Sequence, residues 1–218
     1  MGKLSASILS ADLANLAAQV KLVDAHADVI HVDVMDAHFV PPLTIGPVVV
    51  AALRPHTDRI LHGHLMVETP EGLFAELAEA GMEIVSFHVE AVDDPAPVIA
   101  KARGVGLGVG LTVNPETPIE SVFPHLEEID DVMVMSVHPG WAGQAFIPES
   151  LPKVEAVRAE LGRRGLHADV EIDGGVKPDN ARRCVEAGAN VLVAASAIFH
   201  APDIAAAARE LKSIVEPA

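Results

Sequence analysis

The stretch "IHVDVMDAHFV", residues 30–40, sets an apolar run against four ionisable side chains. Ile30, Val32 and Val34 alternate with His31 and Asp33, and Asp36 and His38 follow closely. Side chains two apart on a strand share a face. His31 and Asp33 therefore point one way, Val32 and Val34 the other. Burying unpaired imidazoles and carboxylates is costly, so this strand needs partners for its polar face.

Similar runs recur along the whole chain. Strand-like segments are "LSASIL" (4–9), "DVIHVDV" (28–34), "RILHGHLMV" (59–67), "EIVSFHV" (83–89), "GLGVGLTV" (106–113), "DVMVMSV" (131–137), "ADVEID" (168–173) and "NVLVAAS" (190–196). Between them lie helical patterns such as "DLANLAAQVKLVDA" (12–25), "PEGLFAELAEAG" (70–81), "DPAPVIAKARG" (94–104) and "SLPKVEAVRAELGRRG" (150–165), the last ending on Gly165 as a C-cap. Near-continuous apolar strands suit a parallel sheet covered on both faces. Eight strand-helix units without a linker predict an α/β protein, a single-domain (β/α)8 TIM barrel over residues 1–218. An open doubly wound sheet is the second reading, but "SILSADL" (7–13) after the first strand lacks its glycine fingerprint. The longest irregular stretches, "DAHFVPPLTIG" (36–46) and "HPGWAGQAFIPES" (138–150), follow strand C-terminal ends, where such barrels build their active sites.

Half of the 218 residues are hydrophobic, enough for a large core, but with one Trp and no Tyr that core is aliphatic. A net charge of -16 argues against nucleic acid and anionic membranes as partners. The single cysteine, Cys184 in "NARRCVEAGA", reads as a buried structural thiol. No apolar run reaches membrane-spanning length, and the N-terminal segment lacks the apolar core of a signal peptide, so a cytoplasmic location is expected.

The polar strand residues form a pattern. His62 and His64 share a face of the third strand, as His31 and Asp33 do on the second, and Asp173 ends the seventh before two glycines. His31, Asp33, His64 and Asp173 can thus converge at one end of a barrel. A mixed imidazole and carboxylate set suits one divalent ion: Zn²⁺ first, with Fe²⁺, Mn²⁺ or Co²⁺ as alternatives. Singly, each residue reads more simply as a hydrogen-bonded core histidine or a helix cap. The loops "HPGWAGQ" (138–144), "DGG" (173–175) and "AAS" (194–196) offer backbone N–H groups of the kind that bind phosphate, or merely turn tightly. Met35, Met66 and Met135 sit at strand ends, as core packing or as an apolar lining for a reacting carbon.

Taken in order, "SILSADL", "HVDVMDAHFVPPLTIGP", "HLMVETP", "SFHVEA", "LTVNPETP", "VMSVHPGWAGQAF", "EIDGG" and "LVAASAIF" resemble the ribulose-phosphate 3-epimerase family over nearly the whole chain. The resemblance implies His31, Asp33, His64 and Asp173 as metal ligands, with Asp33 and Asp173 doubling as the catalytic acid/base pair. It implies substrate contacts from Ser7, His64, Gly140, Trp141, Ala142, Gly143, Gly174, Gly175, Ala195 and Ser196. The implied activity interconverts D-ribulose 5-phosphate and D-xylulose 5-phosphate, a pentose phosphate pathway step, by proton transfer at C3 through a cis-enediolate. Another phosphoketose 3-epimerase, for instance one acting on a hexulose 6-phosphate, and a non-catalytic sugar-phosphate-binding barrel are the alternatives. A homo-oligomer stays open, since apolar helix faces suit either the barrel or a second copy.

The chain departs from the family in places. Glycine is usual at Ala37, Ala142 and Ala195, Asn at Pro42, Phe at Trp141, and Asp at His62. Ala195 is expected to be the strained one, if its turn needs a positive φ. The three alanines and Trp141 are expected to narrow the pocket. Asp36 is expected to brace its loop or a ligand, and His38 to be structural.

Overall fold

The computed structural model describes residues 2–216. Eight parallel strands close into a barrel in chain order: β1 (Lys3–Ser7), β2 (Val29–Met35), β3 (Ile60–Met66), β4 (Ile84–His88), β5 (Gly108–Val113), β6 (Asp131–Met135), β7 (Asp169–Asp173) and β8 (Val191–Ala194). Helices surround them: α1 (Leu16–Val23), α2 (Pro47–Leu53), α3 (Phe74–Glu79), α4 (Pro95–Gly104), α5 (Leu151–Arg164), α6 (Pro178–Glu186), α7 (Ser196–Phe199) and α8 (Ile204–Val215). The fold is the expected (β/α)8 barrel. Gly165 does cap α5, in the left-handed conformation at φ 69°. Cys184 is a buried thiol on α6, and burial pushes its pKa up to about 12.

The expected repeat of strand and helix fails once. Between β5 and β6 the covering element is a 3₁₀ helix, Ile119–His125, with Pro124 inside it. Proline lacks the N–H that an α-helix would need there.

Alternate strand residues divide into two populations. Ile30, Val32 and Val34 of β2, with Leu61 and Leu65 of β3, join the buried aliphatic layer beneath the helices. The other face turns into the barrel, and much of that interior is polar: Ser5, His31, Asp33, His62, His64, Ser86, Asp131 and Glu171 are all buried. His62 is its central pillar. Its Nδ1 lies 3.2 Å from Glu171 Oε1, its Nε2 is 2.6 Å from Ser86 Oγ, and Ser86 donates to Asp131 at 2.8 Å. Burial would lower the pKa of His62, but Glu171 and Asp131 raise it to about 8. The imidazolium then donates from both nitrogens. Gly110 makes this packing fit, because a Cβ there would collide with Asp131 and Ser86.

The loop after β2 is stapled to its strand. Thr44 Oγ1 donates to Asp33 O at 2.6 Å and accepts from Met35 N–H at 2.9 Å. Asp36 Oδ1 accepts the N–H groups of His38 and Phe39, and its Oδ2 that of Glu68, so Asp36 braces two loops. The His38 ring folds back on Asp36 O at 2.8 Å, a structural contact.

Strain falls elsewhere than expected. Ala195 has φ −110°, an ordinary value for an L-residue. Among the described residues, Ala37 is the one non-glycine residue with positive φ, at 63°, where its N–H closes a turn onto Pro42 O at 3.0 Å. A Cβ in that region costs roughly 1–2 kcal/mol. Ala37→Gly is therefore expected to stabilise the protein by about 1 kcal/mol, raising Tm by about 2–4 °C in a thermal melt. An unchanged or lower Tm would show that Ala37 carries no strain.

Candidate metal centre

The closed barrel brings strand ends together around a single mouth. Asp33 and His64 are register partners across β2 and β3, and Ser7 pairs with His31 across β1 and β2. Asp173 enters from β7, where Gly174 and Gly175 follow at φ 120° and 64°. Both glycines are required by their surroundings. A Cβ on Gly174 would meet Val137, and one on Gly175 would lie 2.7 Å from Phe146 N.

His31, Asp33, His64 and Asp173 each offer a ligand atom, and those atoms lie within 4.8 Å of one another. His31 Nε2 is 3.4 Å from Asp33 Oδ1 and 3.7 Å from Asp173 Oδ2; His64 Nδ1 is 3.2 Å and 3.4 Å from the same atoms. Tetrahedral bonds of about 2.0–2.2 Å imply ligand-to-ligand edges of roughly 3.3–3.6 Å. The spacing therefore fits a small divalent ion better than four direct hydrogen bonds. His31 gives independent support: its Nε2, the nitrogen that faces Asp33 and Asp173, is buried without a hydrogen-bond partner. Buried polar atoms are rarely left so. The residues present fit a metal.

Electrostatics bind the group together. Burial would raise the pKa of Asp33, yet His31 and His64 hold it well below the usual carboxylate range. Burial would lower that of His64, but Asp173 and Asp33 raise it to about 9. Ser7 Oγ donates to Asp33 Oδ2 at 2.7 Å, leaving Oδ1 to face the imidazoles.

A pocket opens above this group. Ser7, Asp33, His64 and Asp173 line it, as do Met35, Met66 and Met135, whose side chains are buried. Gly140, Trp141, Ala142, Gly143, Gly174, Gly175, Ala195 and Ser196 complete the rim. His31 lies beneath and is not part of the lining. Ala37 is absent from the lining as well, and Ala142 and Trp141 are exposed, Trp141 by 64%. Of the residues expected to narrow the pocket, Ala195 is the one set within it rather than exposed at the mouth.

Sequence reasoning did not assign the groups behind the ligands. His64 Nε2 is 2.9 Å from His88 Nε2, and His88 Nδ1 is 3.2 Å from Glu90 Oε2. Burial lowers the pKa of His88 to about 4, so it is neutral. Burial would raise Glu90, but contacts with His88 and Thr117 and the Asn114 N–H bring it down to about 2. The motif "SFHVEA" carries both residues, and the alternation of β4 puts His88 on the same face as Ser86. Below the site, His31, His62 and Glu171 also cluster within 4.8 Å. Both His62 nitrogens already have partners there, so this group reads as the hydrogen-bonded pillar described above.

Among the described residues, no helix is long and apolar enough to cross a membrane. Known proteins match the chain closely. A protein from Synechocystis named ribulose-phosphate 3-epimerase is 45% identical over 214 residues, covering 97% of this chain and 93% of that protein. One of the same name from Mycobacterium tuberculosis is 46% identical over 206 residues, covering 94% and 90%. Among solved structures, KGPDC from Streptococcus mutans superposes with a TM-score of 0.75 at 18% identity. The match covers 98% of this chain and 97% of the other, a likeness of fold. The sequence model described as "Ribulose-phosphate 3 epimerase family" matches residues 3–199, and the chain belongs to that family.

Proposed function

We propose that this chain is a metal-dependent epimerase that interconverts D-ribulose 5-phosphate and D-xylulose 5-phosphate by moving a proton at C3. The observation that carries the reading is the convergence of Asp33 and Asp173 with two imidazoles at the floor of one pocket. Epimerase activity itself accords with the names of the relatives at 42–46% identity.

Inversion beside a ketone needs a base to take the C3 proton and an acid to return one on the opposite face. Two carboxylates on separate strands meet that need, and their roles exchange in the reverse direction. Asp33 is poised as a carboxylate, and Ser7 fixes its orientation. His31, Asp33, His64 and Asp173 would hold a divalent ion, and its positive charge would offset the negative charge left on oxygen by loss of the C3 proton. Met35, Met66 and Met135 exclude water from the reacting carbons. No Lys or Arg lines the pocket among the described residues. The phosphate is therefore assigned to the rim loops, through backbone N–H groups around residues 140–143, 174–175 and 195–196. Binding there, away from C3, positions the substrate.

Asp33→Asn and Asp173→Asn are each expected to lower kcat on D-ribulose 5-phosphate by about 10²–10⁴-fold. Turnover in deuterated water is expected to place deuterium at C3, read by mass spectrometry. Full activity in either variant, or product free of deuterium, would rule out the two-carboxylate scheme. Faster turnover of a hexulose 6-phosphate would reassign the substrate while keeping the chemistry.

Metal binding is also expected to depend on pH. With its pKa raised to about 9, the His64 imidazole of the metal-free protein is protonated at neutral pH. Below that value the ion must displace a proton, so affinity rises with pH and levels off above about 9. Calorimetry at pH 7 in buffers of different ionisation enthalpy should show release of about one proton per ion bound. A pH-independent affinity would contradict the coupling. Chelation should abolish turnover, and metal add-back should restore it.

A further inference from the structure

We propose that His88 and Glu90 are positioning residues that fix which nitrogen of His64 is free to hold a cation. The inference rests on reading the His31, Asp33, His64 and Asp173 group as a metal site. It concerns what makes that site competent.

The argument is one of donors and acceptors. His64 directs Nδ1 at Asp33 and Asp173, and Nε2 at His88. A ligand nitrogen must present a lone pair. The His64 proton must then sit on Nε2 and be donated to His88 Nε2, 2.9 Å away. That nitrogen has to be a bare acceptor, so His88 carries its own proton on Nδ1. Nδ1 faces Glu90 Oε2 at 3.2 Å. A carboxylate only accepts, so the order of protons along the row runs in one direction. Glutamine at position 90 would lose that property. By turning its amide it could donate to His88 Nδ1, reverse the row, and place a proton on the His64 nitrogen that faces the carboxylates.

The terminal acceptor is itself held. Glu90 Oε1 accepts the Asn114 N–H at 2.8 Å. The Asn114 loop is gripped by Lys153 of α5, whose ammonium donates to Asn114 O, Pro115 O and Thr117 O at 2.9, 2.7 and 2.6 Å. Phe39 covers the His88 ring, with centroids 4.8 Å apart. The row thus reaches from a surface helix to a ligand atom on β3 without a break. Groups that orient metal-bound imidazoles commonly govern affinity by about 10–100-fold.

The test uses Zn²⁺ and the full chain. Dissociation constants are measured by competition with a chromophoric chelator for wild type, Glu90→Gln, His88→Gln and His88→Leu. Glu90→Gln and His88→Leu should weaken Zn²⁺ binding by about 10–100-fold. His88→Gln, whose amide oxygen can accept from His64 and whose NH₂ can donate to Glu90, should weaken it less. The Tm of the metal-free Glu90→Gln protein should stay near that of wild type. In the Zn²⁺-loaded wild type, ¹⁵N shifts should place the His88 proton on Nδ1. A proton on His88 Nε2, or a Glu90→Gln protein that binds Zn²⁺ as tightly as wild type, would overturn this inference and leave the metal site standing. A wild-type protein that binds no Zn²⁺ would overturn both. Should His88→Leu fail to fold, Glu90→Gln and the wild-type spectrum still decide, because the Glu90 side chain is partly exposed.

Discussion

Four ionisable groups share a few ångströms of space at the barrel mouth, and three of them, His31, Asp33 and His64, are buried. The buried carboxylate of Asp33 could not sit there alone, since an unpaired buried charge costs several kcal/mol. It is tolerated because imidazoles face it, and the imidazoles are tolerated because carboxylates face them. The arrangement holds only while all the strand ends that carry it keep their places. Much of the surrounding structure serves that end: Thr44 stapling β2, Ser7 holding Asp33, and two glycines turning the chain sharply after Asp173.

The barrel also separates its tasks by direction. Outward strand side chains and the helices form a continuous aliphatic layer that supplies most of the burial. The inward residues contribute less apolar area and more chemistry. In the lower part of the barrel, His62, Ser86, Asp131 and Glu171 exchange hydrogen bonds in a buried interior, where such contacts are strong and a missing partner is expensive. Gly110 leaves the room they need. His62 supplies the positive charge between two acidic neighbours, Asp131 and Glu171.

The convergence of these four polar residues was legible because strand alternation is local. Two residues apart on one strand means one face, and that rule placed His31 with Asp33 and His62 with His64, while Asp173 came in from its place at a strand end. The row from His64 through His88 to Glu90 was not legible, because it depends on how far β3 and β4 are staggered, which no single strand encodes. Ala37 and Ala195 make the same point. Ala195 was expected to carry the strain, but only the path of the 36–46 loop reveals that Ala37 is the one in the left-handed region. Helix α2 hides behind Val48, Val49 and Val50, a β-branched run that starts as a helix because Pro47 occupies its first position. The missing α-helix before β6 follows from Pro124, a residue whose effect is local.

Trp141 stands largely exposed at the pocket mouth, in a loop that Gln144 ties together through His138 O and Trp141 O. It is the only indole in a chain without tyrosine. The natural fluorescence of the protein therefore arises at the doorway to its own pocket. The fold carries a built-in optical label at the one place where ligand entry and loop rearrangement would quench or shift it.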